Sequence, residues 1–358
     1  MKSYIALMLA AMVSVGAVAQ NTQKLTATKA TDYGLIYTLP VTSVDVTIEA
    51  ERTLETPGEF YKYARKYLGI DPITEPGESW RLVSAVLTPK AVADDAERYS
   101  VQFKSGSAPF MVLNENNTPV SVNDETYIPA VNTDRLPEAR EAKPTILELP
   151  AARQAMTEEM LQSKSTAKRA ELAAAKIYEL RQNRNDIIAG QADAMPSDGA
   201  AMKLALDNIS RQEEALTAMF TGTKSTSTQV RTFTFNPGAE SERIVVARLS
   251  ALDGIVDADD LSGDPIYLNY EVTAKGELPL TDKGEPRKFP KGGLAYRIPG
   301  SADISVLFDG GKIVSRPFKI AQLGVVYGLD PGIFTDKKAP AYVRFDPLTG
   351  GIVETGTK

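Results

Sequence analysis

The chain has 358 residues, with 46 acidic against 40 basic side chains and a formal net charge of −6. It contains neither cysteine nor histidine. Disulfides, thiolate metal sites, cysteine nucleophiles, Ser-His-Asp triads and imidazole acid–base or metal chemistry are thereby excluded. Any catalysis would rest on carboxylates, Lys, Tyr, Ser or Thr.

Residues 1–19 read as a secretory signal peptide. Lys2 supplies the positive start, Tyr4 to Val18 the apolar core, and Ala17-Val18-Ala19 a small-x-small cleavage site before Gln20. A membrane-spanning helix needs about 20 apolar residues, and no stretch reaches that. The expectation is an exported protein, periplasmic or associated with the outer membrane, with no transmembrane segment after cleavage. Its mild acidity is spread along the chain, and Lys and Arg are scattered without interleaved aromatics, so no nucleic-acid partner is expected.

Residues 33–150 predict an N-terminal β domain with one short helix. Val44, Val46 and Ile48 alternate with Asp45, Thr47 and Glu49, the period of a half-buried strand. The helix carries its own punctuation: Thr56 as N-cap, Pro57 in the first turn, Glu59 as the capping-box acid and Gly69 as the stop. Its aromatics Phe60, Tyr61, Tyr63 and Tyr67 suit packing on a sheet better than ligand binding. Further strands are predicted around Trp80 to Thr88, Tyr99 to Phe103, Phe110 to Leu113 and Ile146 to Leu149, with a turn at Asn114-Glu115-Asn116-Asn117. Asp124 to Pro144, rich in Pro and charge, reads as a surface loop.

At residues 151–222 the period changes and a helical hairpin is predicted. Ala170, Ala173, Ile177, Leu180 and Ile187 repeat at three and four, as do Met202, Leu206, Ile209, Leu216 and Phe220. The turn is Ala192 to Gly199, with Ser197 or Asp198 as cap and Gly222 as stop. Each seam has one polar interruption, Arg184 and Glu213, and antiparallel packing makes their meeting a testable pairing rather than a deduction. Alanine-rich seams bury little area, so the hairpin needs another surface, expected to be one or both β domains. Thr221 to Gln229 reads as a Ser/Thr-rich linker. Residues 228–358 then predict a second β domain, with strands from Val230, Ile244, Ile266, Ile304, Arg316 and Tyr342, and hairpin turns at Asp309-Gly310 and Asp346 to Gly350. The fold class is α+β: two mainly antiparallel β domains with an α-helical hairpin between them.

Three patterns suggest chemistry and each falls short. The acidic stretch Asp257, Asp259, Asp260, Asp264 offers oxygens to Ca²⁺, but Leu261 stands where the third EF-hand ligand belongs. A solvated loop is the simpler reading. Ser165-Thr-Ala-Lys168 has the serine–lysine nucleophile spacing, yet the companion Ser-Asp-Asn and Lys-Thr-Gly motifs are missing, so a helix cap explains it. Carboxylate pairs such as Glu158/Glu159, Glu213/Glu214 and Asp259/Asp260 are neighbours in sequence, which does not place them across a cleft as glycosidase chemistry requires. No catalytic residue, metal site or cofactor is assigned, and no Gly-rich phosphate loop is present.

Several phrases taken in order carry a family resemblance. They are Tyr33-Gly-Leu-Ile-Tyr-Thr-Leu-Pro40, Phe60-Tyr-Lys-Tyr-Ala64 with Tyr67-Leu-Gly69, and Ile177-Tyr-Glu-Leu-Arg181. Pro196-Ser-Asp-Gly199, Glu214-Ala-Leu with Phe220-Thr-Gly222, Ile320-Ala-Gln-Leu-Gly324 and Phe345-Asp-Pro-Leu-Thr-Gly350 follow. Together they resemble an uncharacterised family, a domain of unknown function of exported Bacteroidota proteins. The resemblance implies a Gram-negative envelope setting and supplies no functional residue. The expected function is a non-catalytic envelope protein that binds or scaffolds a protein partner. The alternatives are a carboxylate-dependent hydrolase of glycan or peptide, marked by two facing carboxylates with one pKa perturbed, and a non-catalytic glycan-binding protein displaying exposed Tyr and Trp80.

Overall fold

A computed structural model describes residues 21–24, 34–102, 110–130, 134–334, 336 and 339–357. The predicted signal peptide, Tyr33 and Phe103 lie outside the described residues. In chain order the elements begin with β1 (Asn21–Lys24), β2 (Leu35–Thr56), a 3₁₀ turn (Tyr61–Tyr63), α1 (Ala64–Leu68) and β3 (Gly77–Gln102). Next come β4 (Met111–Leu113), β5 (Pro119–Val122), α2 (Pro150–Ala155), α3 (Glu158–Gln162), α4 (Thr166–Ala189) and α5 (Gly199–Thr221). After them lie β6 (Thr223–Phe235), β7 (Glu242–Ser250), β8 (Gly254–Val256), β9 (Gly263–Ala274) and β10 (Leu294–Phe308). The last are β11 (Gly311–Leu329), β12 (Ala341–Phe345) and β13 (Ile352–Thr357).

The fold is α+β, with antiparallel sheets and a helical pair between strand regions. Sheet A has the order β1-β3-β2-β6, sheet B β13-β12-β5-β4, and sheet C β11-β10-β9-β7-β8. Sheets A and B each take strands from both sides of the helices. Val44 to Thr56 of β2 pair with Thr223 to Phe235 of β6, and β5 pairs with β12. The stretches 33–150 and 228–358 are thus joined through shared sheets.

Three cores result. Sheets A and C face each other over Val46, Ile48, Leu87, Ile266, Leu268, Ile304 and Val306, all fully buried. Sheet B closes the far ends of β2, β3, β10 and β11 over Tyr37, Leu294, Phe334, Val343 and Phe345. The third core is helical, formed by α1 to α5 without a strand residue.

The structure corrects several expectations. The two strands predicted near Trp80 and Tyr99 are one continuous β3, paired along β2. Thr221 to Gln229 is no linker: most of it is strand, because its alternating Ser and Thr suit a half-exposed edge beside β2. Ile146 to Leu149 forms a turn leading into α2, where Ile146 and Leu147 pack on the helical core. Thr56 ends β2 rather than capping a helix. The chain first docks on α5 (Phe60 N donates to Met219 O, 2.7 Å), and helix begins only at Tyr61 before ending at Gly69, φ 67°. Phe60, Tyr63 and Tyr67 do pack, on the helical core rather than on a sheet. The hairpin buries its base against α1, α2 and α3, and so meets residues 33–150 through Phe60, Ala64, Ile146 and Leu147 rather than through a sheet face. Asn114–Asn117, Asp309-Gly310 and Asp346–Gly350 all form turns, with φ 47° and 73° at Asp309 and Gly310 as a two-residue hairpin requires.

Candidate functional site

The hairpin is built as its sequence dictates. Ser165 Oγ accepts from Lys168 N (3.4 Å) at the start of α4, and Gly190 closes it at φ 72°. Asp198 Oδ1 accepts from Ala201 N (2.8 Å) at the start of α5. Gly222 ends α5 at φ 84°, in a space where a Cβ would collide with the carbonyl of Thr56. The helices pack closely through Ala170, Ala173, Ala174, Ile177 and Leu180 on one side and Ala215, Leu216, Met219 and Phe220 on the other.

This packing stops halfway along. Leu180 is the last fully buried residue of α4 and Ala215 the first of α5. At the boundary the two polar interruptions meet: Glu213 accepts from Arg184 Nη1 and from Arg181 Nε, each at 2.6 Å. The carboxylate is well covered, its side chain 13% exposed, and both its oxygens are engaged. Beyond this clamp α4 runs on from Arg184 to Ala189 and α5 extends back from Glu213 to Gly199, and neither stretch holds a fully buried residue. Ile187, Met202, Leu206 and Ile209 are only half-buried, while Ile188 (66%), Met195 (42%) and Leu204 (60%) face solvent.

Below the clamp lies a cleft of about 880 Å³ between α5, the segment 140–146 and β6. Arg181, Arg184, Glu213, Glu214 and Thr217 line the helical wall, and Arg140, Lys143 and Pro144 the opposite one. Thr223 to Thr228 form the floor. The cleft is polar, carries cations and carboxylates in near balance, and suits hydrogen bonding more than apolar capture.

The patterns singled out in sequence are dispersed. Asp257, Asp259, Asp260 and Asp264 are all exposed: Asp257 pairs with Arg231 (2.8 Å), and Asp260 accepts from Ser262 N (2.9 Å), which holds its carboxyl below the ordinary range. Among the described residues no group of three or more His, Asp or Glu converges as a ligand set. Ser165 is a helix cap, and Lys168 Nζ contacts Glu171 at 3.2 Å. Glu213 faces its arginines while neighbouring Glu214 faces solvent. Trp80 is half-buried against the sandwich core and donates Nε1–H to Glu78 (3.2 Å) and to Leu252 O (3.3 Å).

Two polar clusters were not foreseen. Arg344 donates to Asp124 from Nε and Nη2 (2.8 Å each) and to Glu354 from Nη1 (2.7 Å), between the rings of Tyr127 and Tyr342. Asp124 titrates below the usual carboxylate range, held by the Thr126 hydroxyl and then Arg344. Glu354 does so through Tyr342 OH and then Arg344. Arg297, buried on β10, reaches Asp94 of β3 at 2.5 Å. The Arg297–Asp94 and Arg344–Asp124 pairs span 203 and 220 residues, beyond any local sequence signal.

In comparison with known proteins, the model of the family described as Domain of unknown function (DUF4831) matches residues 33–353. No curated protein and no solved structure matches.

Proposed function

We propose that this chain, which belongs to the DUF4831 family, is an exported, non-catalytic protein of the cell envelope that binds a protein partner through the distal half of its helical hairpin. The setting is the periplasm or the outer membrane. One observation carries the reading: α4 and α5 run on past the Arg181–Glu213–Arg184 clamp, beyond their last fully buried residues, and present Ile188 and Leu204 to solvent, with Met195 exposed in the turn between them. Apolar side chains held on a rigid, projecting support are what a partner surface can bury.

The electrostatics support a binding role over a hydrolytic one. Glu78, Asp124, Asp260 and Glu354 are all lowered by hydrogen bonds, whereas a general acid needs a carboxyl raised toward neutral pH. Trp80 packs on the core, which weighs against an aromatic glycan platform. Among the described residues no helix is long and apolar enough to cross a membrane.

Crosslinking in the native envelope tests the reading. A defined adduct is expected with the natural chain, and its loss with Ile188→Ser combined with Leu204→Ser at unchanged protein level. A chain that stays monomeric and captures no envelope component would sink it.

A further inference from the structure

We infer that the floor of the cleft, the outer edge of β6 at residues 224–227, accepts an extended polypeptide by strand addition. The argument starts from the direction of the backbone. β6 is the edge strand of sheet A, so half of its peptide groups point away from β2. Thr228 shows which half, because its N–H leaves the sheet and bonds to Arg140 O (2.8 Å). By the strand's two-residue period, the N–H and C=O of Thr226 and Lys224 point the same way. Side chains agree: the direct pairs Thr47/Thr232 (3.0 Å) and Lys224/Glu55 (2.5 Å) touch, as expected of narrow, non-hydrogen-bonded pairs at even positions of β6.

The chain itself uses this edge once and then leaves it. Arg140 engages Thr228 through two bonds, the second from its own N–H to Thr228 Oγ1 (2.8 Å). Residues 143–146 then swing out to form the opposite wall. Among the described residues no backbone bond reaches the outer side of Thr226 or Lys224. Open edges are usually guarded by charge, often a lysine. Within residues 224–227 Lys224 is the one charge, and its ammonium is drawn back to Glu55 on β2. The gap between the walls is about 880 Å³, and residues 223–228 extend over about 17 Å, room for a strand of five or six residues. The ligand's alternate side chains would meet Arg181, Arg184 and Glu214 on one wall and Arg140 and Lys143 on the other, which selects a polar sequence. This site is separate from the hairpin tip, so failure of the tip to bind a partner would leave it standing.

The test uses the chain from residue 20 onward, a phage-displayed library of random linear dodecapeptides, and Thr226→Pro. Proline removes the outward N–H and spares the ladder to β2, as edge positions allow. Enriched polar peptides are expected to bind Thr226→Pro at least tenfold more weakly, and to slow amide hydrogen exchange at Lys224 and Thr226. Should the variant not fold, the same peptides N-methylated at alternate amides serve instead, with the same expected loss. Absence of enrichment, equal binding by Thr226→Pro or the methylated peptides, or Lys224 and Thr226 amides already protected in the free protein would each overturn the inference.

Discussion

In the sandwich between sheets A and C, four of the twenty buried core residues are alanines; in the helical lobe, seven of fourteen are. The sandwich hides large β-branched and leucine side chains, each removing enough apolar area to stabilise by about 1.5–3 kcal/mol. The helical lobe gains close helix approach instead, and its seam ends at a charge clamp with the hairpin only half covered. The first arrangement commits its apolar surface to folding. The second leaves part of it outside, at Ile188 and Leu204. That division locates the candidate contact surface more firmly than any motif does.

The sharpest test of the division is deletion in the dense core. Leu268 is fully buried on β9, paired with Ile244 and Val306. Leu268→Ala is expected to lose about 2–5 kcal/mol in denaturant unfolding, through lost burial and the cavity left behind. In the helical lobe the sensitive direction is reversed. Ala173 sits where α4 meets the rest of the helical core and has no exposed surface. Ala173→Leu is expected to cost about 1–3 kcal/mol by overpacking. A smaller loss, about 1–2 kcal/mol, is expected for Glu213→Gln, which leaves two arginines with a neutral partner. The value is kept low because both guanidinium groups are more than a third exposed or close to it, and added salt should shrink it further. Unfolding at low and high ionic strength measures the difference.

What was legible in the sequence follows the range of the forces involved. The hairpin could be read because caps at Ser165 and Asp198, the stop at Gly222, and a 3.6 period are all local, whereas the stop at Gly190 emerges only in the structure. Antiparallel direction made the Arg184–Glu213 meeting a pairing to test and the structure shows it, whereas Arg181 as a second donor had no such signal. The Ser/Thr stretch after Gly222 was misread because polar composition suits a linker and an edge strand equally. Its partner, Glu51 to Thr56, lies some 170 residues earlier. The cleft was invisible for the same reason, since its three walls come from residues 140–146, the hairpin and β6. Tertiary contacts bring them together: β6 pairs with β2, and Thr228 N donates to Arg140 O.

Acid should reveal a further contrast between regions. Asp124, with its side chain only 2% exposed, and Glu354 both ionise at lower pH in the fold than in the unfolded chain. Their bonds to Arg344 therefore stabilise fully above the ordinary carboxylate range and are lost as pH falls through the lowered values. Thermal midpoints measured from pH 6 down to pH 3 should fall less steeply for Arg344→Met than for the natural chain, once each is referred to its own pH 6 value. Parallel curves would mean that the Arg344 bonds do not contribute to acid sensitivity, leaving the Thr126 and Tyr342 bonds as what lowers the two carboxyls.

The smallest effect on folding is expected where the effect on binding is proposed to be largest. Ile188 and Leu204 are 66% and 60% exposed, on the part of the hairpin beyond the clamp. Exposed substitutions that keep helix propensity usually move stability by no more than about 0.5 kcal/mol. Ile188→Ala and Leu204→Ala should therefore unfold within that margin of the natural chain, with loss confined to envelope crosslinking. A loss of 2 kcal/mol or more, on the order of a core deletion, would mean these side chains pack onto the protein itself. The hairpin tip would then belong with the sandwich as part of the folding core, and the contrast that assigns it to a partner would fail.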